Sequence, residues 1–545
     1  MYIAEIPTKT KAGKLSHLCV LLRESYWEKG KVRNRTLANL THCKPEEIVA
    51  IKLALKHKGN LASLSSVVDV ELSQGKSVGA VWLVYRVAKR LGIEQALGRS
   101  RAGKLALWQV IARVIDQGSR LSSVRLAGYS GASEVLGIRK SFNEDDLYRN
   151  QRWITQKQAI IEQRLFQSRP QAVELFLYDV TSSYLEGTKN ELANWGYSRD
   201  GKKNNQQIVV GLLCDGEGEA ISVDVYEGNT RDFSTFKQQI NKTAGRFGCR
   251  RVTFVGDRGM IKSGQVNSLR KVGFHYITAI TKSQIRKLLG EGVLQLCLFE
   301  EEVCEITHNG ERYILRRNPL RAEELAITRQ EKKKVIVEMI AYKNKYLAGH
   351  KRSQVKTALK EIRSKIDRLK VGSWLTVRGL GRRIFWEENS AAREKDAQLD
   401  GCYVIKTDLM GVDKKVIHDR YKDLTEVEQG FRTCKTELLE LRPWFVTTEQ
   451  STRAHAVVVM LAYIIVRYLK KRWAGLNLTV EEGIKQLSTV CSTKISVKQT
   501  TMHKVPTPIG TIATLLEKAE VRLPAMLPDS GINIVSRKTL QSERK

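Results

Sequence analysis

Two strand-like runs in this chain each carry an acid on an apolar face, and together they constrain the fold more than any other feature. In "ELFLYDVTSSYLEG" (Glu174 to Gly187) the apolar residues Leu175, Phe176, Leu177 and Tyr178 lead straight into Asp179 and on through Val180. Alternate residues of a strand share a face, so Asp179 points the same way as Leu175 and Leu177. A carboxylate buried there without a partner costs several kcal/mol. The run "RVTFVGDRGM" repeats the device, delivering Asp257 on the face of Val255. Two carboxylates on neighbouring strands repel unless a proton or a cation is shared between them. A hard divalent cation with oxygen ligands, usually Mg²⁺, resolves the conflict.

The elements around these acids follow a regular plan. After the Asp179 strand and a polar loop ("NWGYSRDGKKNNQ") comes a hairpin, "QIVVGLLCD" and "AISVDVYEG", joined by the Gly-rich "GEGE". Helix "STFKQQINKTAGRF", strand "RVTFVGD", helix "IKSGQVNSLRKV" and strand "FHYITAI" come next. Three strands in meander, then helix, strand, helix and strand, predict an α/β fold with a mixed sheet, in the element order of a ribonuclease-H-like core. The predicted organisation is a β-like basic region (1–65), a helical and DNA-binding region (66–170), the first part of the core (171–281), an insertion (282–400), the second part of the core (401–475) and a C-terminal basic tail (476–545). The length of 545 residues suits roughly two to four domains.

Charge identifies the partner class. Lys and Arg number 92 against 58 acids, a net charge of +34, which points to a polyanion. Basic residues between Arg86 and Lys104 cluster where two predicted helices meet. The longest apolar run, "HAVVVMLAYIIV" (His455 to Val466), is shorter than the ~20 residues of a membrane span, and the N-terminus lacks the apolar stretch of a signal peptide. Nine cysteines without a C-x-x-C pair argue for a reducing compartment and against a structural zinc. These features predict a cytosolic, nucleic-acid-binding protein with no membrane partner.

A third ligand is expected from a helix packed on the sheet. "RYKDLTEVEQGFRTCKTELLELRPW" offers Asp423, Glu426, Glu428, Glu437 and Glu440. Its apolar stripe is Leu424, Val427, Phe431, Cys434 and Leu438. Glu428 flanks that stripe together with Arg432 and Lys435, whereas Glu426 lies on the opposite flank beside Lys422. An acid with two cations on one flank suits a metal beside a phosphate; the same spacing also describes an exposed Glu428–Arg432 pair of small value.

Asp179 in "YDVTSSY", Asp257 in "VGDRGM" and Glu428 in "VEQGFRTCK" resemble the three acids of DDE transposases. More narrowly, the chain is similar to the bacterial insertion-sequence group with a Tyr–Arg–Glu–Lys signature. Tyr421, Glu428 and Lys435 fit that spacing, and Leu424 holds the place of the Arg. "GYSRDGKKNNQQIVVGLL" and "YEGNTRD" also look like family blocks. The acids are separated by 78 (257 − 179) and 171 (428 − 257) residues, in keeping with an insertion before the Glu helix.

The resemblance implies Asp179, Asp257 and Glu428 as catalytic residues and as ligands of two Mg²⁺ ions, with Mn²⁺ able to substitute. It implies phosphodiester cleavage at transposon ends and transfer of the freed 3′-OH to target DNA, by a homodimer in a bacterial cytoplasm. Tyr421, Lys435, Arg432 and Arg258 are the expected DNA contacts. A nuclease that does not join DNA and a DNA-binding relative without activity are the rival readings. His17, His42, His418 and His455 are expected to be structural, as are Trp108, Trp153 and Trp195. "GLGRR" (Gly379 to Arg383) is only a faint phosphate-loop match.

Overall fold

The computed structural model describes the whole chain except residues 10–14, 59–69, 203, 301, 437–438, 442–443, 498–499 and 539–545. Glu437 and Leu438 of the predicted stripe, the His17 side chain and the end of the basic tail therefore lie outside the described residues. The chain divides into two compact units.

The larger unit comprises residues 83–128, 140–484 and 533–545. Its centre is an eight-stranded mixed sheet. In chain order the strands are β1 (Leu175–Tyr184), β2 (Gln207–Asp215), β3 (Ala220–Glu227), β4 (Thr253–Gly256), β5 (His275–Ala279), β6 (Cys304–His308), β7 (Glu311–Arg317) and β8 (Cys402–Thr407). Across the sheet they run β6-β7-β8-β5-β4-β1-β2-β3. β1 pairs antiparallel with β2 and parallel with β4, and β4 pairs parallel with β5. The predicted α/β architecture with a mixed sheet is present.

Strands covered on both faces read as nearly unbroken apolar runs, and Gln207–Cys214 is buried throughout. One face of β1 carries Phe176, Tyr178 and Val180 into a core with Phe236, Phe254 and Phe274. Helices α4 (Asp232–Asn241) and α5 (Ser263–Lys271) supply part of that core. Phe254 is the hub, with ring centroids 5.5 Å from Phe176 and 5.4 Å from Phe236.

The other face of β1 carries Leu177 and Asp179 beneath α9 (Leu424–Thr436). Val427, Gly430, Phe431 and Cys434 form the buried stripe of that helix. Gly430 is needed for packing: a Cβ there would sit 3.0 Å from the Tyr463 hydroxyl. A separate helix, α8 (Lys414–Lys422), precedes α9 and ends before Asp423. Tyr421 and Glu428 are therefore on different helices, not on the single helix expected from Lys422 onward.

Three long helices pack at the β3 side, namely α1 (Arg101–Ile115), α3 (Glu144–Gln167) and α10 (Glu449–Arg472). The apolar run at His455 is longer as a helix than as a string of letters. By length and composition α10 could cross a membrane, yet most of its apolar window is buried within the fold. Between α1 and α3 lies α2 (Arg120–Tyr129).

The predicted insertion begins later than residue 282. β6 and β7 pair with each other and then with β8, so they extend the main sheet. The sequence shows short strands there but not their partner, which lies about ninety residues on. The remaining segment holds α6 (Pro319–Gly349) and α7 (Val355–Leu369), as the basic helical runs predict. It also holds a hairpin, Leu375–Leu380 with Arg383–Glu388. These pieces share a core of Ile336, Ile340, Ile362, Ile366, Trp374 and Ile384. "GLGRR" is simply the hairpin turn, with Gly381 at φ 59°.

The smaller unit comprises residues 1–82, 129–139 and 485–532. Its first part is an antiparallel sheet of Tyr2–Lys9, Leu15–Glu28 and Lys31–Asn39, in keeping with the β-like reading. A helix over Pro45–Lys56 was not expected; Pro45 starts it and Glu47 accepts from the Lys44 N–H at 2.8 Å. The C-terminal region is not a peripheral tail. Cys491–Val497 pairs with Val70–Ser77 in a four-stranded sheet, a pairing across more than 400 residues that no local pattern reveals.

Candidate active site

The register of β1 on β4 brings the first two acids together. Leu175 pairs with Thr253 and Tyr178 with Gly256, a constant offset of 78 residues. Continued by one residue, the same offset sets Asp257 level with Asp179 (257 − 179 = 78). The two differ in setting. Asp179 lies within β1 and is largely enclosed, whereas β4 ends at Gly256 and leaves Asp257 exposed. Asp257 therefore does not lean toward the core as its strand parity suggests, because the strand stops before it. Its Oδ1 accepts the Arg258 N–H at 2.7 Å and the Tyr421 hydroxyl at 3.2 Å.

Asp179 carries the electrostatic signature of the site. Burial pushes its carboxyl up to about 7, and the charges of Asp257 and Glu428 add to the rise. The Val180 N–H and the Arg199 guanidinium oppose it. Among the described residues Asp179 has no ion pair. Burial likewise pushes the Tyr421 hydroxyl well up, with Asp257 adding and Arg258 opposing. These couplings gather Asp179, Asp257, Glu428, Tyr421 and Arg258 into one neighbourhood.

Glu426 belongs elsewhere. It accepts from Arg467 Nη2 at 2.8 Å and lies against Gly218 in the β2–β3 turn. Of the two glutamates it is Glu428, exposed on α9, whose charge reaches Asp179.

Arg432 and Arg258 are at the surface. Lys435 is not. Its Nζ is buried and donates to Thr181 Oγ1 and the Ser182 carbonyl, both at 2.5 Å, and to Asp200 Oδ1 at 3.0 Å. A helical wheel sets Lys435 on the flank of Glu428 but cannot foresee a loop arriving with Asp200. In this structure Lys435 ties α9 to β1 and does not present itself to a phosphate.

Two residues were missed by reading side chains alone, Arg199 and Asp200. Both lie in the "GYSRDGKKNNQ" loop. Arg199 donates its N–H to Ser182 Oγ at 2.7 Å and its guanidinium to Asp232 at 2.5 Å. An Arg-Asp pair in a loop following an acid-bearing strand was the available signal.

The expected structural residues mostly meet partners. His418 is buried between Tyr403 (2.6 Å), Arg316 (3.0 Å) and Asp419 (3.0 Å). Trp108 is in the core, its Nε1 donating to the Ser123 carbonyl at 3.1 Å, whereas Trp195 is exposed.

Among the described residues no group of three or more His, Cys, Asp or Glu side chains is spaced to hold a metal ion. The donor set nevertheless suits a hard divalent cation. It is oxygen-only, Asp257 and Glu428 both act on Asp179 through space, and that carboxyl has no ion pair among the described residues.

Comparison with known proteins gives an independent view. Residues 172–465 match the family model for the transposase DDE domain, and residues 3–64 match that for the N-terminal domain of IS1634 family transposases. No curated protein matches the chain. A solved structure, the piggyBac transposase synaptic complex with hairpin DNA, superposes with a TM-score of 0.36 at 8% identity, covering 70% of this chain and 69% of that one. A likeness that faint supports no conclusion about this chain.

Proposed function

From the premise that the chain belongs to the DDE transposase family of insertion sequences, we propose that it cleaves the ends of its element and transfers the 3′-OH ends to target DNA. The observation that carries this reading is the β1–β4 register, which sets Asp179 beside Asp257 within the matched domain. The sheet order and the α9 packing support a ribonuclease-H-like core.

Asp179, Asp257 and Glu428 are the proposed holders of two Mg²⁺ ions, with Mn²⁺ able to substitute. Bound there, the cations would neutralise phosphate charge and make a water or a 3′-OH nucleophilic near neutral pH. The chain's own groups prepare that site. β1 holds Asp179 rigid through its packed neighbours. The Tyr421 hydroxyl fixes one oxygen of Asp257 and leaves the other for a ligand. Arg258, next to Asp257, and Arg432, four residues beyond Glu428, are both exposed and contact phosphates of the bound strand. Lys435 holds α9 against β1, so that Glu428 keeps its position relative to Asp179. Two such chains, each engaging one terminal inverted repeat, would form the working complex.

The test uses the full chain, Mg²⁺ and labelled duplexes carrying the inverted repeats that flank its gene. Cleavage at the repeat and joining of a pre-cleaved end to plasmid DNA are expected, both abolished by EDTA. Cleavage without joining identifies a nuclease. Repeat binding without cleavage in Mg²⁺ or Mn²⁺ identifies an inactive relative. Either result overturns the proposal.

A further inference from the structure

A second cluster of like charges, this one buried, lies in the larger unit, and the reaction above does not use it. A cavity of about 540 Å³ is lined by residues of α1, α2 and α3, by Glu440, Phe445, Val446 and Thr447, and by the start of α10. Arg113 and Arg120 line it, and both are buried. Arg113 donates Nη1 to the Gln117 carbonyl and Nη2 to the Gly118 carbonyl at 3.1 Å, while its Nε has no hydrogen-bond partner. Arg120 lies 3.4 Å from His455 Nδ1. With the Gln151 amide in the orientation that satisfies both its ends, Arg120 also donates Nε and Nη2 to the Gln151 oxygen at 2.9 and 2.8 Å.

No carboxylate pairs with either guanidinium among the described residues. Glu440 and Asp116 act on Arg113 only through space, and Asp116 already accepts from Ser122. Burial pushes both guanidiniums below their ordinary range, and the Arg113 charge adds to the effect on Arg120. Burial also holds His455 well below its usual value, and so it is neutral. Enclosing two cations side by side is unfavourable unless an anion joins them.

The opening adds a second recognition element. Phe445 is 76% exposed and Tyr148 is 47% exposed, and both line the cavity. Exposed aromatic rings beside a basic groove are stacking platforms for unpaired bases. The volume lies within the ~300–1,000 Å³ of small-ligand pockets, larger than a phosphate alone requires. The cavity segment is also fixed to the catalytic strand. Trp444 bridges to Leu185, just beyond β1, and the Asn190 amide donates to the Val446 carbonyl at 2.6 Å.

We infer that this cavity is a phosphoryl-binding subsite, in which Arg113 and Arg120 hold the phosphate and Phe445 and Tyr148 carry an unstacked base of the bound DNA strand. The DNA source rests on the transposase reading; the phosphoryl chemistry does not. A free phosphate is the other source of the same group.

The test has two probes, inorganic phosphate against chloride at equal ionic strength, and a labelled single-stranded oligonucleotide without metal. Phosphate should raise the melting temperature of the wild-type chain, and Arg120→Gln and Arg113→Gln should each remove that response. Arg120→Gln should weaken oligonucleotide binding about tenfold with a shallower salt dependence, and Phe445→Ala should weaken it about fivefold or more. A phosphate response lost in the arginine variants with oligonucleotide binding intact supports the site and assigns it to free phosphate. A wild-type chain with no phosphate-specific stabilisation, or arginine variants that respond like wild type to both probes, overturns the inference. Glu426→Gln, outside both clusters, should leave both responses unchanged. A wild-type chain that binds phosphate in this way but never cleaves repeat DNA refutes the transposase proposal alone.

Discussion

The molecule gathers two clusters of like charge, and they are built in opposite ways. At the acid site, Asp179, Asp257 and Glu428 come from a strand, the end of its neighbour and the helix above them. At the basic cavity, Arg113 and Arg120 come from the end of one helix and the beginning of the next, and segments more than 300 residues later close over them. Among the described residues neither Asp179 nor either arginine has an ion pair, and on the proposed readings each cluster is completed by something from outside. An oxygen-only set of acids takes a cation; a pair of forked guanidiniums takes an oxyanion. The clusters also differ in exposure. Asp257 and Glu428 reach solvent while the arginines do not, in keeping with the proposal that the first exchanges ions and substrates and the second grips a strand.

The largest expected effects break the acid side of this comparison. Asp179→Asn and Glu428→Gln should each lower repeat cleavage by about 10³-fold or more, over ~4 kcal/mol of barrier, with DNA binding retained in a gel-shift assay. Full cleavage by either variant would remove that residue from the centre.

Lys435→Met should come next, as a loss of stability and not of DNA contact. It leaves Asp200 buried without its cation, at a cost of about 3–5 kcal/mol, readable in urea unfolding. The double change Lys435→Met with Asp200→Leu should recover much of the loss. Unchanged stability with weakened DNA binding would return Lys435 to the phosphate.

A smaller effect follows from the proton held by Asp179. Its carboxyl rises from an ordinary 3.8 to about 7 on folding. Between those values the native chain holds a proton that the unfolded chain has released. Stability of the metal-free protein should therefore fall as pH climbs from about 4 to about 7 and level off above. Mg²⁺ at pH 8 should restore stability, since a cation favours the ionised form, and Asp179→Asn should flatten both responses. A melting temperature that rises through this window would place the proton elsewhere.

Glu426→Gln should do least. It weakens a partly exposed pair with Arg467, typically worth under about 1 kcal/mol, and cleavage should persist. A cleavage defect there with Glu428→Gln active would exchange the two glutamates.

Legibility in the sequence followed the range of the interactions. Asp179 could be read because its cost is local: strand parity sets it beside Leu177, and burial then demands a partner. Asp257 was read from the same parity and was wrong in one respect, since the end of β4 exposes it. The stripe of α9 was visible in its three- and four-residue steps, but the helix break at Asp423 and the burial of Lys435 were not. Both depend on what the helix packs against. The pair Arg113 and Arg120 gave no signal at all, because two arginines seven residues apart look like any solvated face until α3 and α10 cover them.

The sequence by itself determined that two strand-like runs would carry acids, that a mixed α/β sheet would hold them, and that the net charge would favour a polyanion. Periodicity, parity and net charge are properties of adjacent residues or of the whole composition, and they survive without a fold. Only the tertiary structure decided that β6 and β7 extend the main sheet, that residues 491–497 pair with residues 70–77, that Glu426 pairs with Arg467, and that two arginines share one cavity. Each of those depends on which distant backbone supplies the missing partner, and chain entropy leaves that choice open until the core closes.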